Sequence, residues 1–243
     1  MIHRTRGIVL HHLKYGDTSL IVTIYTETHG RRAFLVQGVY GRKGKFHPSF
    51  FQPFSLLNLE VYINPKRDLQ RIKEISFNTP LQSISFATTK SALALFICEI
   101  LYKTIKEEEA NTPLFAYLYH SIELLDLKES GVANFHLMFL IGLSKHLGFY
   151  PMDNFSEIDN LFDPANGRFY ASLVSQSGGV DLILSRRVHE FLSSSYQRMD
   201  EIPMNHKLRN ELLNLLIEFY NLHLGGLSNI KSLSVLQSVF DND

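Results

Sequence analysis

An α+β fold, a five-stranded N-terminal barrel followed by a mostly helical remainder, is predicted by three observations. Up to about residue 77 the chain holds five short runs rich in β-branched residues or alternating with a period of two. Past Pro80 the apolar residues take up the helical spacing of three and four. Charge divides at nearly the same place. Residues 1–76 carry twelve Lys/Arg against five acids, a surplus of +7, and the remainder carries twelve against nineteen, or −7. Segregation of that kind is the footprint of a polyanion-binding module joined to a second part. The plainer alternative is a basic barrel that pairs with its own acidic half.

The strands are expected in order. Gly7 to Leu13 leads, and Thr18–Thr26 follows between the turn signals Tyr15-Gly16-Asp17 and His29-Gly30. Arg31 to Gly38 returns at once, so residues 18–38 form a hairpin. In Leu56 to Ile63 one face is wholly apolar (Leu57, Leu59, Val61, Ile63), and Asn64-Pro65 turns the chain into Leu69 to Phe77. Five strands with a basic surface fit a small closed barrel of the OB type.

Helices are expected at 86–106, from Thr112 as N-cap with Pro113 behind it to Leu127, from Val132 to Leu147 before Gly148, and at 205–224 between Asn205 and Gly225-Gly226. Another is expected to begin near Arg186-Arg187. Glu107-Glu108-Glu109 close the first helix, and acids there oppose the helix dipole, so that end is expected to fray. Asn166-Gly167 and Gly178-Gly179 flank Arg168–Val174, read as a small hairpin inserted at about 152–184. The expected domains are 1–78 and 79–243.

Several function classes are disfavoured. The first residues lack the apolar run of a secretory signal, and no stretch approaches the roughly 18 apolar residues of a membrane span. A single cysteine, Cys98, in an apolar helical pattern reads as a buried hydrophobe in a reducing, cytoplasmic protein. No phosphate-binding glycine loop, serine-hydrolase elbow or metalloprotease motif occurs, so no catalytic residue is assigned. Among the eleven histidines, His11 and His12 would point to opposite faces of a strand, and no metal site is assigned.

The positive signal is residues 31–54, where cations alternate with aromatics around Gly38, Gly41 and Gly44. Lys and Arg neutralise phosphates and rings stack on bases, so Arg31, Arg32, Phe34, Tyr40, Arg42, Lys43, Lys45 and Phe46 are the candidate DNA-binding residues. Phe50, Phe51 and Phe54 read more readily as core.

The chain also resembles the RecO family of bacterial recombination mediators. The resemblance rests on Gly7-Ile8-Val9-Leu10, Tyr15-Gly16-Asp17-Thr18-Ser19, Tyr25 to Arg31, Gly38 and the basic loop, and Phe51-Gln52-Pro53-Phe54. In the second half it rests on Glu99 to Tyr102, Leu114 to Leu118, His146-Leu147-Gly148-Phe149 and His223-Leu224-Gly225-Gly226. It implies an OB-fold, no catalysis, and binding of single- and double-stranded DNA with annealing of complementary strands. It also implies partnership with RecR, contact with the acidic C-terminal tail of single-strand-binding protein (SSB), indirect help in loading RecA, and a cytoplasmic, nucleoid-associated place without a membrane.

Many relatives carry four cysteines as a zinc knuckle after the His-Leu-Gly-Phe turn. Pro151 to Leu184 contains none here, so the hairpin is expected without metal, with Phe155, Leu161, Phe162, Phe169 and Tyr170 as a substitute apolar cluster. For the SSB tail the candidate cations are Lys145, Arg186, Arg187, Lys207 and Arg209, with Arg186-Arg187 singled out because arginines in a first turn work against the dipole. The rival readings are an RNA-binding OB protein with a helical interaction domain, and an adaptor whose basic half docks acidic proteins.

Overall fold

The computed structural model describes residues 1–41, 45–171 and 181–240. They divide into two compact units, Met1–Leu127 and Lys128–Asp243. In the first unit β1 (Ile2–Tyr15), β2 (Ser19–Thr26), β3 (Gly30–Val36), β4 (Leu56–Tyr62) and β5 (Leu69–Thr79) close a barrel in the order β1-β2-β3-β5-β4. All neighbours are antiparallel except β3 and β5, which meet in parallel at Ala33↔Leu69 and Phe34↔Gln70. The long β1 serves two neighbours: Ile2–Ile8 pairs with β4, and Gly7–Tyr15 pairs with β2 across a bulge. Gly7 stands where the two pairings overlap. A Cβ there would lie 2.7 Å from both Ile24 and Leu59, so only glycine lets the strands approach.

Alternation fills the barrel. Val9, Leu20, Val22, Ile24, Phe34, Val36, Phe51, Leu57, Leu59 and Val61 form one buried cluster. Phe51 and Phe54 are core residues as the sequence suggests, and Phe54 holds a positive φ of 66°.

Two helices complete this unit. In α1 (Thr88–Thr104), Leu93, Phe96, Ile97, Ile100 and Leu101 are buried, and the Cys98 thiol donates to the Val9 carbonyl of β1 at 3.6 Å. Burial pushes that thiol far above the ordinary range, which suits a packing residue and not a nucleophile. The expected cap of α2 (Thr112–Leu127) moves back one position. Asn111, not Thr112, accepts the Leu114 N–H at 3.0 Å, because Asn reaches the third amide as well as Thr does. At the other end of α2, Asp126 accepts the N–H groups of Gln82, Ser83 and Ile84 at 2.8–2.9 Å. Burial raises its carboxyl, but these three donors outweigh that and hold it below the usual range.

The acids Glu107 to Glu109 stand outside α1, whose last residue is Thr104, so they do not sit in its final turn. The arginine guanidinium of Arg31 satisfies the free carbonyls there, donating to Tyr102 O at 2.8 Å and Ile105 O at 2.6 Å.

The second unit contains α3 (Phe135–His146), β6 (Asp159–Asp163), β7 (Arg168–Ala171), α4 (Leu182–Leu192), α5 (His206–Leu224) and α6 (Ser232–Phe240). Asn166-Gly167 is the turn of the hairpin and not its flank as expected: the first strand lies before it and Arg168–Ala171 is the second strand, while residues 172–180 fall outside the described ones. Phe162 and Phe169 are buried there. Phe155 packs edge-on to Phe169 at 5.3 Å and stacks on His189 at 4.5 Å, while Phe162 meets Phe219 of α5 at 5.8 Å. Tyr170 is half-buried opposite Leu161. Aromatic packing thus joins the hairpin to α4 and α5. Helix α6 has no counterpart in the expectations, although Leu233, Leu236 and Phe240 recur at helical spacing.

Candidate nucleic-acid interface

The candidate residues of 31–46 separate once their surroundings are known. Phe34 is 0% exposed inside the barrel, so its ring offers no face to a base; this corrects its inclusion as a stacking residue. Arg31 sits at the start of β3, paired with Tyr25. Besides capping α1, it lies over the Tyr102 ring at 4.5 Å, and its own N–H donates to Glu107 O at 3.0 Å. Arg32 forms a salt bridge with the Glu108 carboxylate and donates to Glu108 O at 2.7 Å. Gly30 makes this docking possible. Its φ of +61° favours glycine, and a Cβ would overlap the Glu109 carbonyl. The acidic segment expected to fray is therefore the partner of the two arginines expected to meet phosphate.

Beyond β3, Tyr40 is 52% exposed, with its N–H on Thr18 O at 3.2 Å. Phe46 is half-buried against the barrel core, and Lys45 lies 5.2 Å over its ring, with Nζ on the Lys73 carbonyl. Arg42 and Lys43 lie outside the described residues.

Elsewhere on the barrel Arg4, Arg6 and Lys73 have partners. Arg6 makes a paired contact with Glu27 at 2.9 and 2.6 Å and lies 4.9 Å over Tyr119 of α2. That pairing holds the Glu27 carboxyl below its usual range. Arg4 and Lys73 share Glu60 at 2.7 and 2.8 Å. Sequence reasoning passed over the β4–β5 turn. There Lys66, Arg67 and Arg71 are exposed, and among the described residues their side-chain nitrogens have no hydrogen-bond or ion-pair partner. The signal was present as Lys66-Arg67 after a turn, but it lacked the glycine-aromatic context that drew attention to 31–46.

In the second unit, Arg186 and Arg187 do not occupy a first turn. Asp181 caps α4 by accepting the Leu184 N–H, so the arginines fall in its second turn and pair with Glu190, at 3.4 Å for Arg186. Their supposed conflict with the dipole disappears. Arg186 remains 72% exposed at its side chain, one turn after the exposed Leu182 and Ile183, whereas Arg187 is mostly covered. Lys145 is exposed in the last turn of α3. Lys207 is exposed beside Glu211 at 3.8 Å. Arg209 is half-buried, donating to Asn134 at 3.1 Å and lying 5.6 Å over Phe240, so it fastens the fold.

The zinc chemistry of the knuckle-bearing relatives does not fit this hairpin. Among the described residues no three His, Cys, Asp or Glu side chains gather at one point, and Asp153 is engaged by His189 at 2.6 Å and Ser193 at 3.0 Å. No helix of the described residues is long and apolar enough to cross a membrane.

Comparison with known proteins agrees with this architecture. Residues 1–80 match the family model described as Recombination protein O N terminal, and residues 86–234 match Recombination protein O C terminal. The chain is 42% identical over 243 residues to the DNA repair protein RecO of Bacteroides fragilis, spanning 99% of this chain and 100% of that one. It is 37% identical over 240 residues to the RecO of Phocaeicola vulgatus, at 99% and 100% coverage. To the RecO of Flavobacterium johnsoniae it is 34% identical over 239 residues, with 98% of each chain covered. A barrel and a helical part in this order, matched from end to end, make the chain a member of the RecO family of DNA repair proteins.

Proposed function

We propose that this protein acts in DNA repair as a non-catalytic mediator that binds single- and double-stranded DNA through its N-terminal barrel. On this reading it anneals complementary strands and, with RecR, helps load RecA onto DNA coated by SSB. The observation that carries the reading is a surplus of seven positive charges in residues 1–76, on a small closed barrel in a chain of the RecO family. Cations on such a surface contact the phosphate backbone and not base edges, so binding is sequence-tolerant and falls steeply with salt.

The functional division follows the change of period, 1–78 for DNA and 79–243 for partners. In the first, Tyr40, Lys45 and Phe46 are the proposed contacts, with Arg42 and Lys43, which lie outside the described residues, added from the sequence alone. Arg31 and Arg32 join them only where the 107–109 segment moves aside. In the second, the acidic and apolar SSB tail docks beside Arg186, where Leu182 and Ile183 supply the apolar floor, with the clusters at Lys145 and Lys207 as the alternative places.

Filter binding of single-stranded DNA against RNA of the same sequence, over a salt series, tests the reading. DNA binding at least as tight as RNA binding, weakening linearly in log salt, is expected. A clear RNA preference favours the RNA-binding alternative, and no salt dependence favours the protein adaptor.

A further inference from the structure

The connection from α1 to α2 is an acidic strap, tied down at both ends and held to the barrel by arginine. Ile105 is 0% exposed at one end, and Asn111 caps α2 at the other. Lys106 to Ala110 between them are exposed, with Glu107, Glu108 and Glu109 in the middle. Residues with so little buried apolar surface lie where their polar contacts hold them. The backbone beneath is shaped for the docked strap, since a Cβ at Gly30 would overlap the Glu109 carbonyl.

The two arginines hold the strap in different ways. Arg31 donates its backbone N–H to Glu107 O at 3.0 Å, while its guanidinium serves the Tyr102 and Ile105 carbonyls at 2.8 and 2.6 Å. Freeing that guanidinium would strip the end of α1 of its donor, so Arg31 is the harder of the two to release. Arg32 caps no helix. Its Nη1 donates to the Glu108 carboxylate and its Nη2 to Glu108 O at 2.7 Å, while its Nε is buried without a partner among the described residues. One N–H thus reaches the carboxylate, although a guanidinium presents a fork that grips a carboxylate or a phosphate with two. The Glu108 side chain is 70% exposed, and exposed ion pairs are weak and screened by salt. Arg32 is occupied, but loosely.

We propose that Glu108 is an autoinhibitory contact: docked on Arg32, it stands in for a phosphate and withholds that cation from DNA. The inference rests on the DNA-binding reading above and concerns how much of the barrel's charge that binding can use. Release of Arg32 needs neither helix to unwind, because its contacts with Glu108 lie between the anchors at Ile105 and Asn111. An ion pair that served stability alone would give the opposite sign. Breaking it would loosen the barrel and would not strengthen DNA binding.

The test is fluorescence anisotropy of a labelled oligo-dT on the full chain, at several salt concentrations. Four proteins are compared: wild type, Glu108→Ala, Glu109→Ala and Glu108→Ala/Arg32→Ala, with melting temperatures to report whether each folds. Glu109→Ala removes the same charge from the same strap, but the Glu109 carboxylate has no hydrogen-bond or ion-pair partner among the described residues. Glu108→Ala is expected to tighten binding at low salt by about fivefold, as the loss of a competing exposed ion pair allows. It is also expected to steepen the plot of log affinity against log salt by about 0.7, one more phosphate contact. Glu109→Ala is expected to leave the slope as in wild type, and the double variant to return it there. A Glu108→Ala slope equal to wild type overturns the inference, and so does a double variant that keeps the steeper slope. Equal steepening by Glu109→Ala overturns it too, as a general effect of charge. Binding without salt dependence in all four proteins is a different result: it overturns the DNA-binding reading, and the autoinhibitory contact with it.

Discussion

Arg31 and Arg71 are the same side chain on adjacent strands of one barrel, and they face opposite circumstances. Arg31 caps a helix, covers an aromatic ring and lies under an acidic segment. Arg71 stands exposed beside Tyr62, with no partner among the described residues. The difference teaches that a sequence counts charge, while binding depends on the charge left over after folding. A guanidinium group donating to backbone carbonyls can meet phosphate only by giving those contacts up.

That contrast can be attacked at several points. The largest expected effect belongs to the candidate that proved to be core. Phe34→Ala should cost about 3–5 kcal/mol of stability, read from urea unfolding, because it empties a position in the barrel interior. Any DNA-binding loss it shows should scale with the unfolded fraction. An equal loss in fully folded protein would mean that the ring does meet a base.

Arg31→Ala should come next, at about 1.5–3 kcal/mol, since charged donors to two helix-end carbonyls are lost. Arg71→Ala should stay within about 0.5 kcal/mol, as surface changes do. Similar melting shifts for both would erase the distinction between them.

A separate effect tests the second unit by pH. Burial pushes the His136 imidazole down to about 3, with the charge of Arg209 adding to it, while the unfolded chain binds that proton near 6.5. The folded pKa is the lower one, so stability is fully present above pH 6.5. It should fall by about 1.4 kcal/mol for each pH unit below that, toward the folded value. His136→Gln, which cannot titrate, should show a shallower fall between pH 6.5 and 5. An unchanged slope would place the proton elsewhere.

Much of the fold was legible because it rests on local period. Alternation in Leu57, Leu59, Val61 and Ile63 marks a strand whatever lies beside it, and Leu93, Phe96, Ile97, Ile100 and Leu101 mark a helix in the same way. The candidate site was less legible because its chemistry depends on contacts far apart in sequence. Nothing near Arg31 reveals that Tyr102 and Ile105 will claim it, 71 and 74 residues away. Nor does the Lys66-Arg67 pair disclose that Gln70 will hold its turn in place. Short elements were lost differently. Asp181 placed the start of α4 five residues before Arg186, and α6, only nine residues long, offered few turns from which to read a period.

The most direct test of the central claim is the salt dependence of single-stranded DNA affinity for wild type, Arg32→Ala and Arg71→Ala. Arg32 is bound to Glu108 and Arg71 is not, so Arg32→Ala should leave the slope of log affinity against log salt unchanged. Arg71→Ala should reduce it by about 0.7, the value of one phosphate contact on a single strand. A reduced slope for Arg32→Ala with none for Arg71→Ala would contradict the account.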